Sequence, residues 1–303
     1  MRVQALRRPN GCEACAALRR AAPESLALLE AEGRCLAHPR CVLWPAVATQ
    51  ELVWALRQAS PRLRSLSLGL AGHSLGDRGA AALAAAVTGL PLERLRLDLC
   101  DCGVCAAGGR ALAAALPDGL RHLHLGLCHC PVGAAGVAAL AAAVGRIGAA
   151  GGPGLLDLHL DLDNCGAGPE GAQALGAALP QGLARLHLDL SRCGVGREGG
   201  LAVAEALPRG LSRLHLGLSE CEIGAEAVQC LAKALPGRVA DLHLGLRGCG
   251  LGAGGARALA AALPRLSACA ALCLDLAGCG VGADGANALA FALFSMSLVG
   301  TGL

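Results

Sequence analysis

Between residues 63 and 282 a short block of alternating apolar and polar positions recurs eight times. In the version that begins at Leu183, leucines 183, 186, 188 and 190 fall on one side, while His187 and Asp189 fall on the other. Period-two alternation of this kind predicts a strand with one buried face. The blocks begin at Leu63, Leu92, Leu120, Leu155, Leu183, Leu211, Val239 and Cys269, with steps of 29, 28, 35, 28, 28, 28 and 30 residues.

Each block is followed by a cysteine, replaced by His73 in the first, and six residues later by a glycine, replaced by Ala227 in the sixth. Apolar residues ten and fourteen positions after the cysteine, such as Val203 and Leu207 after Cys193, then predict a helix. Leu-Pro pairs end most of these helices, at Pro117, Pro180, Pro208, Pro236 and Pro264, because proline lacks the amide hydrogen that would continue the ladder. The unit is therefore strand, loop, helix and turn. One such unit cannot bury its own apolar face, so neighbours must stack into a continuous core with a parallel sheet on one side and helices on the other.

The pattern divides the chain into residues 1–62, an N-terminal helical cap, and residues 63–303, an array of eight repeats. Helices are expected near 24–32 and 46–58, with Trp44 and Trp54 as cap core. The third repeat carries an insertion, GRIGAAGGPG at 145–154, which reads as a flexible edge loop. It does not read as a phosphate cradle, because its glycines follow a helix rather than precede one. The last helix, with Phe291 and Phe294, is apolar. It packs as a lid, meets another chain, or leads into further repeats.

The LxxLxLxLxxC block, the following Gly and the helical LAxAL at about 28-residue spacing resemble leucine-rich repeats of the ribonuclease-inhibitor-like subclass, as in the arrays of NOD-like receptors. The resemblance implies an α/β solenoid in the form of a horseshoe, with a parallel sheet on the concave face and helices on the convex face. It also implies protein binding as the usual work. In that family the residue after the strand sits inside and ties the loop, which here falls to Cys102, Cys130, Cys165, Cys193, Cys221, Cys249 and Cys279.

Composition narrows the function. The chain has no Tyr, two Trp and two Phe, so aliphatic and small residues must fill the core, and aromatic binding anchors are scarce. Residues 1–62 carry a net +4 and the remainder −1, which is not the charge distribution of a nucleic-acid binder. No run of apolar residues is long enough to span a membrane. The 17 cysteines are odd in number, and seven occupy one repeat position. They read as a reduced, buried column suited to a cytoplasmic location rather than as a disulfide framework. No nucleophile, base and orienting group recur together, so no enzymatic activity and no cofactor are expected.

Strand alternation places three columns on the concave face. The middle column reads Ser67, Arg96, His124, His159, His187, His215, His243 and Cys273. One flanking column holds Asp98, Asp161, Asp189 and Asp275. The other holds Arg94, His122, Asp157, Arg185, Arg213 and Asp241. With neutral histidines the face carries four Arg against six Asp, and six protonated histidines would reverse its sign. The expected partner is a protein, bound through Arg96, His124, His159, His187, His215, His243, Asp98, Asp161, Asp189, Arg185 and Arg213. The alternative is a metal-binding or pH-sensing module built on the same His and Asp ladder, since unperturbed imidazole titrates nearest neutrality.

Two smaller clusters remain. Cys12, Cys15, Cys35 and His38, with Cys41 as a substitute, match zinc-ligand spacings, although Cys12 and Cys15 are equally spaced to share a helix face. Cys100, Cys105, Cys128 and His129 gather at the loop edge of repeats 2 and 3, where incidental loop residues are the simpler reading.

Overall fold

The computed structural model describes residues 2–4, 63–149 and 154–300, with side chains described over 63–149 and 154–296. Its strands are β1 Arg2–Gln4, β2 Ser65–Gly69, β3 Arg94–Asp98, β4 His122–Gly126, β5 Asp157–Asp161, β6 Arg185–Asp189, β7 Arg213–Gly217, β8 Asp241–Gly245 and β9 Ala271–Asp275. They form one parallel sheet in chain order, open at both ends. A helix follows each strand from β2 onward: α1 Gly76–Val87, α2 Ala106–Ala115, α3 Gly133–Ala149, α4 Gly168–Ala178, α5 Gly196–Glu205, α6 Gly224–Ala234, α7 Gly252–Ala262 and α8 Gly282–Gly300.

The strands are short because only the middle of each eight-residue block lies in the ladder. Pairing is in zero-shift register, so Leu186 stands beside Leu214, His187 beside His215 and Leu188 beside Leu216. The leucine columns 66, 95, 123, 158, 186, 214 and 242 are buried and face the helices. Each helix returns a stripe to the same core, as with Val203 and Ala204 from α5 or Val228 and Leu231 from α6. Strands stand about 4.8 Å apart, while packed helices need about 8–10 Å. The stack therefore bends toward the sheet.

The residue before the ladder cysteine takes a left-handed conformation in the turns after β3 to β7. It is Asp101, His129, Asn164, Arg192 or Glu220, with φ between 54° and 58°. This conformation turns each amide toward the next repeat, where Arg192 N–H donates to the Ser219 carbonyl at 2.8 Å. L-residues pay a steric cost there of about 1–2 kcal/mol, which the inter-repeat hydrogen bonds offset.

The ladder cysteines lie directly inside these turns. Six donate S–H to a leucine carbonyl of the preceding repeat: Cys102 to Leu70 (2.9 Å), Cys130 to Leu99 (3.2 Å), Cys193 to Leu162 (3.0 Å), Cys221 to Leu190 (3.0 Å), Cys249 to Leu218 (2.9 Å) and Cys279 to Leu246 (2.7 Å). The seventh, Cys165, meets the Cys193 sulfur at 3.7 Å. Burial pushes the Cys102 and Cys249 thiols up to about 12, which keeps them protonated as donors.

Two sequence expectations change. Strand β1 extends the sheet by pairing Val3 with Leu66, although only helices were expected in residues 1–62. The expected cap helices, and Cys12, Cys15, Cys35 and His38, lie outside the described residues. The insertion is also not all loop, since α3 runs on to Ala149 and takes in residues 145–149. The reason is that Ile147 continues the buried stripe of Val137, Leu140 and Val144. Gly145 and Gly148 then lie against Ala178 and Pro180, and Arg146 donates to Asp118 and to the Leu116 carbonyl, both at 2.7 Å. At the C-terminal end of the array, Phe291, Leu293 and Phe294 of α8 are exposed.

The packing makes opposite predictions for two glycines. A Cβ at Gly176 would lie 2.7 Å from the Ala202 carbonyl oxygen on the neighbouring helix. Gly176→Ala should therefore destabilise the array by about 1–3 kcal/mol, despite alanine's helix preference of about 1 kcal/mol. Gly182 has open space around it, and Gly182→Ala should leave stability unchanged or raise it by about 0.4–1 kcal/mol. Urea-unfolding midpoints of the two variants give the comparison. Alkylation of the native protein, mapped by peptide mass, should modify the exposed Cys105 and Cys273 and spare the seven ladder cysteines until denaturant is added.

Candidate functional site

The sheet face opposite the helices carries the polar columns, and the zero-shift register makes each column continuous from strand to strand. In the middle column the imidazoles of His124, His159, His187, His215 and His243 form one stack. Successive ring centroids are 3.7, 3.8, 3.9 and 4.0 Å apart, and from His159 onward the rings are parallel within 11°. These separations are shorter than the strand spacing of about 4.8 Å, because inward curvature draws the side-chain tips together.

Stacking half-buries the rings and disfavours the charged form of His124, His159, His187 and His215. Desolvation, with Arg96 and His187 nearby, lowers His124 to about 4; desolvation, then His124, Arg96 and His215, lowers His159 to about 4. His187, at the centre of the stack, falls to about 3, again through desolvation first and then its two neighbours. His215 is lowered for the same reason. The expected reversal of charge in mildly acidic solution therefore moves to stronger acid for these rings. Among the described residues, none of the five ring systems makes a hydrogen bond to the protein.

The flanking columns differ from each other. On one side Asp157 accepts from Arg185 at 2.9 Å and lies 3.5 Å from His122 Nδ1, while Arg94 and Arg213 are exposed, as is Arg96 at the end of the histidine column. On the other side the carboxylates turn back onto their own chain. Asp98, Asp161, Asp189 and Asp275 each accept the backbone N–H two residues on, at 3.4, 3.4, 2.9 and 3.1 Å. They cap the turns after their strands, a role that the sequence signalled only through the recurring Asp-Leu before each loop. Glycines in the same column make room for them: a Cβ at Gly217 would collide with the Asp189 carboxylate.

The rings lie face to face in parallel planes rather than around a common centre. His159, Asp161, His187 and Asp189 accordingly do not converge as ligands. Among the described residues, three metal-capable groups come together only at Cys100, Cys128 and Asp161. Cys100 and Cys128 occupy the same loop position in consecutive repeats and are joined as a disulfide. Their 28-residue separation, equal to the repeat step, was the available signal for that pairing. The other members of the loop-edge cluster go elsewhere. Cys105 is exposed and free, and His129 bonds Asn164 at 3.2 Å and approaches Asp163, which also holds Arg192.

No helix among the described residues is long and apolar enough to cross a membrane. A comparison with curated proteins finds no match. A family model described as Leucine Rich repeat matches residues 186–204 and 272–290, which are strand, loop and helix in the fifth and eighth repeats. Among solved structures, the leucine-rich repeat-containing protein LegL7 from Legionella pneumophila is similar over 80% of this chain and 73% of that chain, with 16% identity and a TM-score of 0.43. The matched repeats, the single open parallel sheet and the strictly alternating helices make the fold an α/β leucine-rich-repeat solenoid.

Proposed function

We propose that the protein is an interaction scaffold that binds a protein partner on the concave face, along the ladder from His124 to His243. The observation that carries this reading is the set of five stacked imidazoles whose nitrogens have no hydrogen-bond partner among the described residues. Neutral imidazole offers both a donor and an acceptor. Because the rings are held by stacking, a partner gains hydrogen bonds while ordering few loose side chains.

Exposed Arg96 and Arg213, with Arg185 tethered by Asp157, add cationic anchors of the type enriched at binding hot spots. Asp98, Asp161 and Asp189 are half-buried turn caps and contribute shape and negative potential more than direct contacts. Helices of at least 10 residues in every repeat and the 28-residue step support reading the array as the ribonuclease-inhibitor-like subclass.

The test is capture of a partner by the wild-type chain, followed by affinity measurement on a His187→Ala, His215→Ala variant and on Arg257→Glu, which changes the helical face. Loss of at least about tenfold in the histidine variant alone is expected. Loss in Arg257→Glu alone would move the interface to the convex side. The ladder also has a pH signature. His187 should titrate near pH 3, as measured by NMR, rather than at the ordinary 6.5. Its folded-state pKa is depressed, so the unfolded chain binds the proton more readily. The contribution of the ladder to stability is therefore complete above about pH 6.5 and is lost as pH falls toward 3. Urea midpoints should fall across that window, and less steeply in His187→Gln.

A further inference from the structure

The loop edge beyond β3 to β5 has a chemistry that the concave ladder does not use. The position two residues past each strand reads Ala71, Cys100, Cys128, Asp163, Ser191, Ser219, Arg247 and Ala277, so thiols occur there in two consecutive repeats only. The parallel register brings their Cα atoms to 4.6 Å. In the next repeat Asp161 turns its Oδ1 to the Asp163 amide and leaves Oδ2 facing the sulfur of Cys100 at 3.9 Å. The two sulfurs and a carboxylate oxygen of Asp161 all lie within 4.8 Å of one another, and all three residues are partly buried.

From this arrangement we propose that the dithiol form of Cys100 and Cys128, together with Asp161, is a binding site for a borderline-soft divalent cation of the zinc class.

Three further features support it. Tetrahedral zinc with bonds of about 2.3 Å to sulfur and about 2.0–2.2 Å to carboxylate oxygen holds its ligand atoms about 3.5–3.8 Å apart. At 3.9 Å the Cys100 sulfur and the Asp161 oxygen are within a few tenths of an ångström of that span, and the two sulfurs separate once reduced. Gly126 leaves a hollow beside them: a Cβ there would lie 3.1 Å from the Cys100 sulfur and 3.2 Å from Asp98 Oδ1, so every other residue would crowd the site. Finally, the carboxylates are uncompensated. Among the described residues no cation pairs with Asp98, Asp161 or Asp189, so their like charges repel one another across neighbouring strands. A bound cation would relieve that repulsion, while the Asp163 amide already fixes the orientation of its ligand.

The disulfide and the metal-bound form exclude each other. Reduction by a thiol- or phosphine-class reductant supplies two electrons, and two protons complete the thiols. On metal uptake both S–H bonds break, two sulfur–metal bonds form, and two protons leave to solvent. Asp161 supplies the third bond and water fills the remaining position.

Cobalt(II), whose thiolate complexes absorb in the near ultraviolet, is the probe. The full chain is reduced with a phosphine and titrated beside Cys100→Ser, Cys128→Ser and beside Asp161→Asn, with thermal unfolding of each as the folding control. The wild type should take up one more equivalent than the double variant, with the extra charge-transfer absorption. Taking the difference removes any contribution from Cys12, Cys15 and Cys35. Reoxidised wild type should lose the same equivalent, and Asp161→Asn should weaken it by about tenfold or more. Equal uptake and equal spectra in the wild type and the double variant would overturn the site. So would an Asp161→Asn affinity equal to that of the wild type.

Discussion

Zero-shift parallel pairing is the constraint on which the other features depend. When each strand meets the next with no offset, a residue type repeated at one position of the sequence becomes an unbroken column in space. Leucine columns profit from this, because identical branched side chains pack on one another against the helices. Cysteine profits as well, since a small buried side chain with a weak donor reaches the carbonyl one repeat away without leaving a void. The core thus reaches continuity with almost no aromatic volume.

Columns of ionisable residues face the opposite problem, and the chain handles each differently. In the outer column charge alternates where it can, so that Asp157 lies between His122 and Arg185. In the inner column glycines interrupt the carboxylates, and each Asp spends its negative charge on the backbone of its own turn. Between them the histidines stack, and burial lowers the pKa of His124, His159, His187 and His215, because protonating one of these rings would place a cation in a half-buried pile of neighbours. The polar face is therefore less charged and more ordered than a count of its ionisable residues suggests.

Much of this was legible in the chain. The eight blocks, the helices of the repeats, the cysteine ladder and the histidine column follow from spacing, and the structure places each where the spacing put it. The insertion was misread because its glycines outweighed Ile147, although that residue continued the helical stripe of Leu140 and Val144. That the carboxylates also cap their own turns is not legible in the sequence, because alternation assigns a face and cannot show a side chain bending back to its own amide. Strand β1 left no signal, since Val3 and its neighbours form no repeat block.

The sequence by itself determined the solenoid, its register and the identity of every column, because these depend on local periodicity and on the need of each repeat to bury one face. Tertiary structure alone decided the lowered pKa of His124, His159, His187 and His215, since desolvation exists only once the rings are stacked. It alone decided that Asp161 reaches the Cys100 sulfur while Cys105 stays apart. That contact depends on how two side chains 61 residues apart lean toward each other across the sheet edge, and no pattern of letters carries that distance.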